Sequence, residues 1–227
     1  MPLRPYLGSK ASIICFFGPD GSGKSTLAKA LARRLHNENL KVKLSWMRGT
    51  HTLASILARL LSKFSTFRGS DNPYYGISIP SCMKRLWQLI EFTSVLPILL
   101  SRFILPSLLG YTVIAERFIP DFLVWVSLTT RDANYLRRLE AKFMLALSMK
   151  VNVRVYVTAS EAELAKRRSG EVDREFLSRQ LKLYDKMAKL VGAYKIDTTG
   201  RSVEETLNEL LSHWQQRHKI PYRRSRL

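Results

Sequence analysis

The chain has 227 residues, 46% of them apolar, which suits one domain with a full core and excludes a disordered chain. Lys and Arg outnumber Asp and Glu by 37 to 18, and the net charge of +19 points to anionic partners. Cys15 and Cys82 lie far apart with no C-x-x-C spacing, so nothing calls for an oxidising compartment. No secretory leader pattern opens the chain, and a cytoplasmic protein is expected.

The apolar run Ile13–Phe17 predicts a buried strand. It runs into Gly18-Pro-Asp-Gly-Ser-Gly-Lys-Ser-Thr26, the G-x-x-x-x-G-K-[ST] spacing of a phosphate-binding loop. Gly18, Gly21 and Gly23 let backbone N–H groups turn inward around phosphate oxygens, and a helix starting at Lys24 aims its positive dipole end at the same anion. Lys24 should reach the β- and γ-phosphates, and the Ser25 hydroxyl should hold Mg²⁺. Gly18, Asp20, Gly21, Ser22, Gly23, Lys24, Ser25 and Thr26 are therefore the nucleotide-binding candidates, with ATP and Mg²⁺ as cofactors.

Alternation from Leu40 to Trp46 predicts a half-exposed edge strand, and Leu53 to Phe64 an amphipathic helix. Residues 68–81 read as a loop, and 82–109 as helix. The segment from Phe92 to Leu109 is almost wholly apolar and long enough to suggest a membrane span. Because it holds Arg102, Pro97 and Pro106 and feeds a strand, a buried core helix is expected, with interfacial membrane docking as the other reading. Strands follow at Tyr111–Ala115, Val151–Val157 and Tyr194–Ile196. Helices are expected from Asp132 to Met149, after the capping box Ser160–Glu163, over Glu175–Val191 and after the capping box Ser202–Glu205. Strands alternating with helices imply an α/β fold, a parallel sheet covered on both faces. One domain spans about 1–217. A basic tail over 218–227 offers weak contact with nucleic acid or an anionic surface.

Three further sites carry charge toward the phosphates. Glu116-Arg117-Phe118 ends the third strand, where ligands bind in parallel sheets; Glu116 can organise Mg²⁺ and Arg117 can clamp an acceptor phosphate. The segment 166–175 gathers Lys166, Arg167, Arg168 and Arg174 around Gly170, the composition of a lid that brings arginines to a transferring phosphoryl group. Ile196-Asp197-Thr198-Thr199-Gly200 leaves the last strand in a turn.

This order of features resembles the thymidylate kinase family of nucleoside monophosphate kinases. The family's F-x-G-x-D-G-x-G-K-S-T is matched from Phe16 to Thr26, and its Asp-Arg-Tyr approximately by Glu116-Arg117-Phe118. Its lid R-x-x-x-G-x-x-D-R-x-E is similar to the run of Arg167, Gly170, Asp173, Arg174 and Glu175, and its adenine loop to residues 196–200. The resemblance implies a P-loop three-layer fold with five parallel strands in the order 2-3-1-4-5, and it allows a homodimer. It implies Lys24 and Ser25 on ATP and Mg²⁺, Asp20 on the acceptor sugar, Arg117 on its phosphate, and Asp197 and Thr198 near adenine. Because Gly21 leaves the loop without an arginine, Arg167, Arg168 or Arg174 should stabilise the transition state. The implied reaction is phosphoryl transfer from ATP to a nucleoside monophosphate, thymidylate first. Where the family has Glu-Pro-Gly-Gly-Thr after the second strand, this chain has Arg48-Gly49-Thr50-His51, so Arg48 joins Asp20 and Arg117 as an acceptor candidate. A nucleic-acid end or a membrane-associated molecule as acceptor, and a nucleotide-dependent nucleic-acid-binding protein, are the alternatives. Asp121 has no role assigned beyond helix capping.

Overall fold

The computed structural model describes residues 12–168 and 174–219. Five parallel strands form one sheet: β1 Ser12–Phe17, β2 Val42–Trp46, β3 Thr112–Glu116, β4 Val153–Thr158 and β5 Tyr194–Asp197. Their spatial order is β2-β3-β1-β4-β5, the order 2-3-1-4-5. A short extended piece at Arg68–Asn72, within the expected loop, bridges only to Ile77 and stays outside the sheet; counting it would shift the later strand numbers by one. Basic tail residues 220–227 and lid residues 169–173 lie outside the described residues.

Strand β1 shows why both faces must be covered. Its residues alternate sides, so Ile14 and Phe16 bury on one face and Cys15 and Phe17 on the other, all at 0% exposure. On the first face lie α1 (Lys24–Asn37) and α8 (Val203–Lys219), which supply Leu27, Leu31, Leu35, Leu210 and Trp214. The opposite face packs α3 (Lys84–Leu99), α4 (Ile119–Thr129), α5 (Leu139–Met149) and α7 (Arg174–Leu190), with Val95, Leu99, Phe122, Met144 and Tyr184 in one core. Helix α2 (Thr52–Leu61) packs on α3 through Ala54 and Ala58 in a smaller cluster with Trp87, and α6 (Glu161–Arg167) precedes the lid.

Register then sets the site. Phe16 pairs with Glu116, and Glu116 with Trp46, so β1, β3 and β2 end level with one another. The loops that leave them, carrying the P-loop, Arg117 and Arg48, emerge at one rim.

Several elements differ from the sequence reading for identifiable reasons. Helix α4 had no assignment because it is apolar all round, with ten of its eleven residues buried, so no amphipathic period marks it. The helix expected from Asp132 starts at Leu139, since Asp132 turns back to accept from the Asn134 N–H at 2.9 Å. Ser202 and Glu205 cap α8 reciprocally, the expected box. The long apolar segment is a core helix on one face only, with Val95, Leu99 and Phe103 in the main core. Helix α3 continues as a π-helical piece Leu100–Ile104, between Pro97 and Pro106, and ends in a turn Leu105–Leu108. Only 33% of its most apolar 18-residue window is buried. Of the apolar positions expected on the preceding helix, Leu57 and Leu61 pack inward with Ala54 and Ala58, while Leu53, Ile56, Leu60 and Phe64 are exposed.

This asymmetry is measurable. Leu99 is 3% exposed and Leu108 is 74% exposed on the same long helix. Leu99→Ala should cost about 2–5 kcal/mol in denaturant unfolding, and Leu108→Ser should stay within about 0.5 kcal/mol of the parent. Equal losses at both positions would mean that the outer face is covered.

Candidate active site

The P-loop has the backbone that its glycines permit. Gly18, Gly21 and Gly23 have φ values of 143°, 83° and 85°, a region that side chains resist. At Gly18 a Cβ would also lie 2.1 Å from the Val157 carbonyl oxygen, so the loop cannot leave β1 with any other residue there. Gly23 closes the turn as the N-cap of α1, and Lys24 begins the helix.

Lys24 is buried beneath the loop. Its Nζ donates to the Pro19 carbonyl and, at 3.2 Å, to Ser22 Oγ. Burial lowers its pKa to about 8, and the Arg48 and Arg168 charges push the same way against Asp121 and Glu116. The Ser25 hydroxyl donates to Glu116 Oε1, so the two residues expected to serve Mg²⁺ are brought together across β1 and β3. Among the described residues no three His, Cys, Asp or Glu side chains gather around a metal position. One hydroxyl and one carboxylate fit Mg²⁺, which fills its remaining places with phosphate oxygens and water.

Asp20 is the pivot. One carboxylate oxygen accepts from Arg117, and the other accepts from Arg48 at 2.5 Å. Arg117 has φ +73°, a left-handed conformation unusual for a side-chain-bearing residue and costly by about 1–3 kcal/mol. Asp121 holds it there. This fully buried carboxylate accepts from Arg117 at 3.0 Å, from Tyr184 Oη at 2.8 Å and from the Phe118 N–H at 3.3 Å, with the Gly18 N–H at 3.5 Å. Capping, the role expected for Asp121, is one of its four contacts. Arg48 lies over the Trp125 ring at 4.8 Å and the Tyr74 ring at 5.2 Å, and it donates to Tyr74 Oη.

On the other side of the loop, Arg167 donates to the Gly21 carbonyl at 3.1 Å, to Thr198 Oγ1 at 3.0 Å and to the Thr198 carbonyl at 3.1 Å. It therefore ties the lid helix to the P-loop and to the loop after β5. The Arg168 Cγ would lie 3.3 Å from a Cβ on Gly21, so this side chain packs over the loop. Arg174 opens α7, and its side chain lies outside the described residues.

Two cavities lie on either side of the Arg48–Asp20 pair, Asp20 lining one and Arg48 the other. A cleft of about 430 Å³ is lined by Asp20, Lys24, Ser25, Arg117, Arg167 and Thr198, and extends to Arg201, Val203 and Thr206. Asp197 does not line it; its carboxylate accepts from the Thr199 N–H at 2.8 Å and shapes the turn. A second cavity of about 370 Å³ is walled by Trp46, Arg48, His51, Tyr74, Tyr75 and Trp125. Gly49 permits this wall, since a Cβ there would meet Trp125 Cδ1 at 1.9 Å. Behind it, Thr50 accepts from Trp125 Nε1 at 3.0 Å and donates to Glu91 Oε1 at 2.6 Å. Glu91 is buried, and burial raises its pKa to about 7 against the hydrogen bonds of Thr50.

Comparison with known proteins is consistent with this geometry. Residues 14–76 match the family model described as ATPase family associated with various cellular activities (AAA). No curated protein matches the sequence. Among solved structures, thymidylate kinase from Candida albicans aligns with a TM-score of 0.60 and 16% identity, covering 92% of this chain and 93% of its own. Thymidylate kinase from Ehrlichia chaffeensis aligns with a TM-score of 0.54 and 19% identity, covering 91% and 99%. The chain has the thymidylate kinase fold.

Within this thymidylate kinase fold, the second cavity was the larger omission of the sequence reading. Its wall comes from three distant segments, and only Arg48 was singled out. Glu91 left a signal, as the one acid between Asp71 and Glu116. Arg201, Val203 and Thr206 were missed in the cleft because they carry no phosphate-binding pattern.

The two shifted groups give pH predictions. A bound triphosphate stabilises charged Lys24 and raises its pKa from about 8. Binding should therefore take up a proton above pH 8, and ATP affinity should fall by up to about tenfold per pH unit as pH rises toward 10. Calorimetry at pH 9 in two buffers of different ionisation heat measures this; zero proton uptake would mean that Lys24 is already charged in the empty cleft. For Glu91 the folded pKa lies above the unfolded one, so its contribution is intact below about pH 4.5 and is lost as pH rises through about 7. Relative to Glu91→Gln, the parent should lose on the order of 2 kcal/mol between pH 4.5 and 8. Parallel pH profiles in paired melts would contradict it.

Proposed function

We propose that this protein is an ATP- and Mg²⁺-dependent phosphotransferase that moves a phosphoryl group from ATP to a small acceptor in the aromatic cavity, with a nucleoside monophosphate as the leading acceptor. The carrying observation is the Arg48–Asp20–Arg117 bridge, which links a wall residue of a second cavity to two residues that line the P-loop cleft. A plain nucleotide switch needs the first cavity alone. A phosphotransferase needs two, with the transferred group passing between them.

The division of labour follows from charge and position. Lys24 and the loop N–H groups take the β- and γ-phosphates. Ser25 and Glu116 would hold Mg²⁺, which supplies charge neutralisation along the phosphates. With the acceptor site empty, Asp20 balances two arginines; an acceptor phosphate offers the same arginines a second anion. Such an acceptor is already ionised and needs no general base. The faces of Tyr74 and Trp125 suit a planar base beyond the phosphate. Arg167 positions the loop through Gly21 and Thr198, which leaves Arg168 as the described lid arginine for charge developing in transfer.

A screen with ATP and Mg²⁺ over nucleoside monophosphates, nucleosides and nucleic-acid ends tests the reaction. Turnover with thymidylate or another monophosphate is expected; ATP hydrolysis with none of these acceptors phosphorylated would reject the reading. Arg48→Ala should raise the acceptor KM with ATP affinity nearly unchanged. Arg168→Ala should lower kcat by about 10²–10³-fold, while Arg167→Ala should also raise the KM for ATP. Equal loss for both substrates in Arg48→Ala would displace the acceptor from the aromatic cavity.

A further inference from the structure

The segment between α2 and α3 folds back on itself. The Gly69 N–H donates to the Gly76 carbonyl at 3.0 Å, and the Ser78 N–H to the Phe67 carbonyl at 2.8 Å. A Cβ on Gly69 would lie 2.0 Å from Ser78 Oγ, so the two arms touch. The base of this hairpin is anchored. Ile77 and Ile79 are buried with Ala54, Ala58 and Trp87, the Asn72 amide donates to Thr50 Oγ1 at 3.3 Å, and Asp71 pairs with Arg131. The tip carries Tyr74, which is 61% exposed. Among the described residues, the hydroxyl of Tyr74 bonds only to Arg48, accepting from Nη1.

Arg48 covers the faces that an acceptor ring would use. Its Cζ lies 4.8 Å from the centre of the Trp125 ring and 5.2 Å from that of Tyr74. The two rings are themselves 5.4 Å apart and tilted by 42°. A third ring between them would need about 7 Å, two van der Waals separations. The remaining position over both faces is the one that the guanidinium holds.

Charge decides what moves it. A neutral ring gives Arg48 no replacement for two aromatic faces and a hydroxyl. A phosphate does: Nη2 keeps its bond to Asp20, while Nη1 exchanges the neutral Tyr74 oxygen for an anionic one, a stronger bond. Tyr74 loses its tether in the same step, and an exposed ring at a hairpin tip can then turn onto the incoming base.

We propose that Arg48 and Tyr74 make ring binding conditional on the phosphate. The empty cavity is closed by its own arginine, and the base of an acceptor enters only once its phosphate has drawn Arg48 away. This rests on the phosphotransferase reading and adds that the site rejects nucleosides by occlusion, beyond the loss of a phosphate contact.

Calorimetric titration of the parent, Arg48→Ala and Tyr74→Phe with thymidylate, thymidine, adenylate and adenosine tests it. In Arg48→Ala the better monophosphate should bind about tenfold or more weakly than to the parent, while its nucleoside binds about threefold or more tightly. An arginine that only grips phosphate would leave nucleoside affinity unchanged, and that result overturns the proposal, as does a nucleoside that binds none of the three proteins. Tyr74→Phe keeps the ring and removes the tether, so nucleotide and nucleoside should both bind at least as tightly as to the parent. This second variant does not depend on how the cavity settles without Arg48. Weaker monophosphate binding by Tyr74→Phe would make the hydroxyl a ligand contact and end its role as a tether. Failure of the underlying reading looks different: the parent itself would then bind neither monophosphate better than the matching nucleoside, which rejects both.

Discussion

A carboxylate with no exposed surface, Asp121, holds together three segments that are far apart in sequence. It accepts from Arg117 at the end of β3, from Tyr184 on α7 and from the head of its own helix, and reaches the first N–H of the P-loop. A buried charge of this kind is tolerable only when it is paired, and removing one partner typically costs about 3–5 kcal/mol. The pairing also makes the left-handed Arg117 backbone affordable. Arg117 in turn turns its other nitrogen to Asp20, and Asp20 reaches Arg48. Both cavities depend on this chain of four charges, because it fixes the distance between the P-loop and the aromatic wall around Arg48.

The alternating sign of that chain has a chemical consequence. Two arginines facing each other across an empty site would repel, and Asp20 between them lets the site persist without ligand. An incoming dianion enters a position already lined by donors, so little reorganisation is needed when it arrives. A neutral acceptor would have no means of competing with Asp20 for the same guanidinium groups. The electrostatics therefore favour an anionic ligand for a reason separate from any likeness to thymidylate kinases.

How much of this was legible in the sequence varies with the range of the interaction. The P-loop, its strand and its helix could be placed to within a residue or two, since glycine spacing and apolar runs act locally. The strand order came from resemblance, not from any pattern in the residues. Helix α4 was invisible because burial on every side erases periodicity. Ser25 and Glu116 were each expected to serve Mg²⁺, while the second bond of Arg117, to Asp121, looks like a mere i,i+4 neighbour in sequence. Trp46, Tyr74 and Trp125 form one wall only after β2, a loop and α4 converge, and no local rule joins them. The reading of 92–109 as core holds for one face only, because a leucine facing the core and one facing outward look alike in sequence.

Helix α3 shows how closely the remaining questions are coupled. Its inner face carries Glu91, which holds Thr50 and through it the Trp125 indole in the wall of the second cavity. Its outer face carries the exposed leucines, a few ångströms of backbone away. The two faces obey different constraints: the inner one is fixed by a hydrogen-bond geometry that tolerates little volume change, and the outer one by apolarity alone. A helix serving both would keep its inner polar residues specific and let its outer residues vary among apolar types. The π-helical turn at Leu100–Ile104 belongs to the same division. It lies well past Glu91, between the two prolines, so the widening turns the later leucines without rotating the residue behind the acceptor cavity.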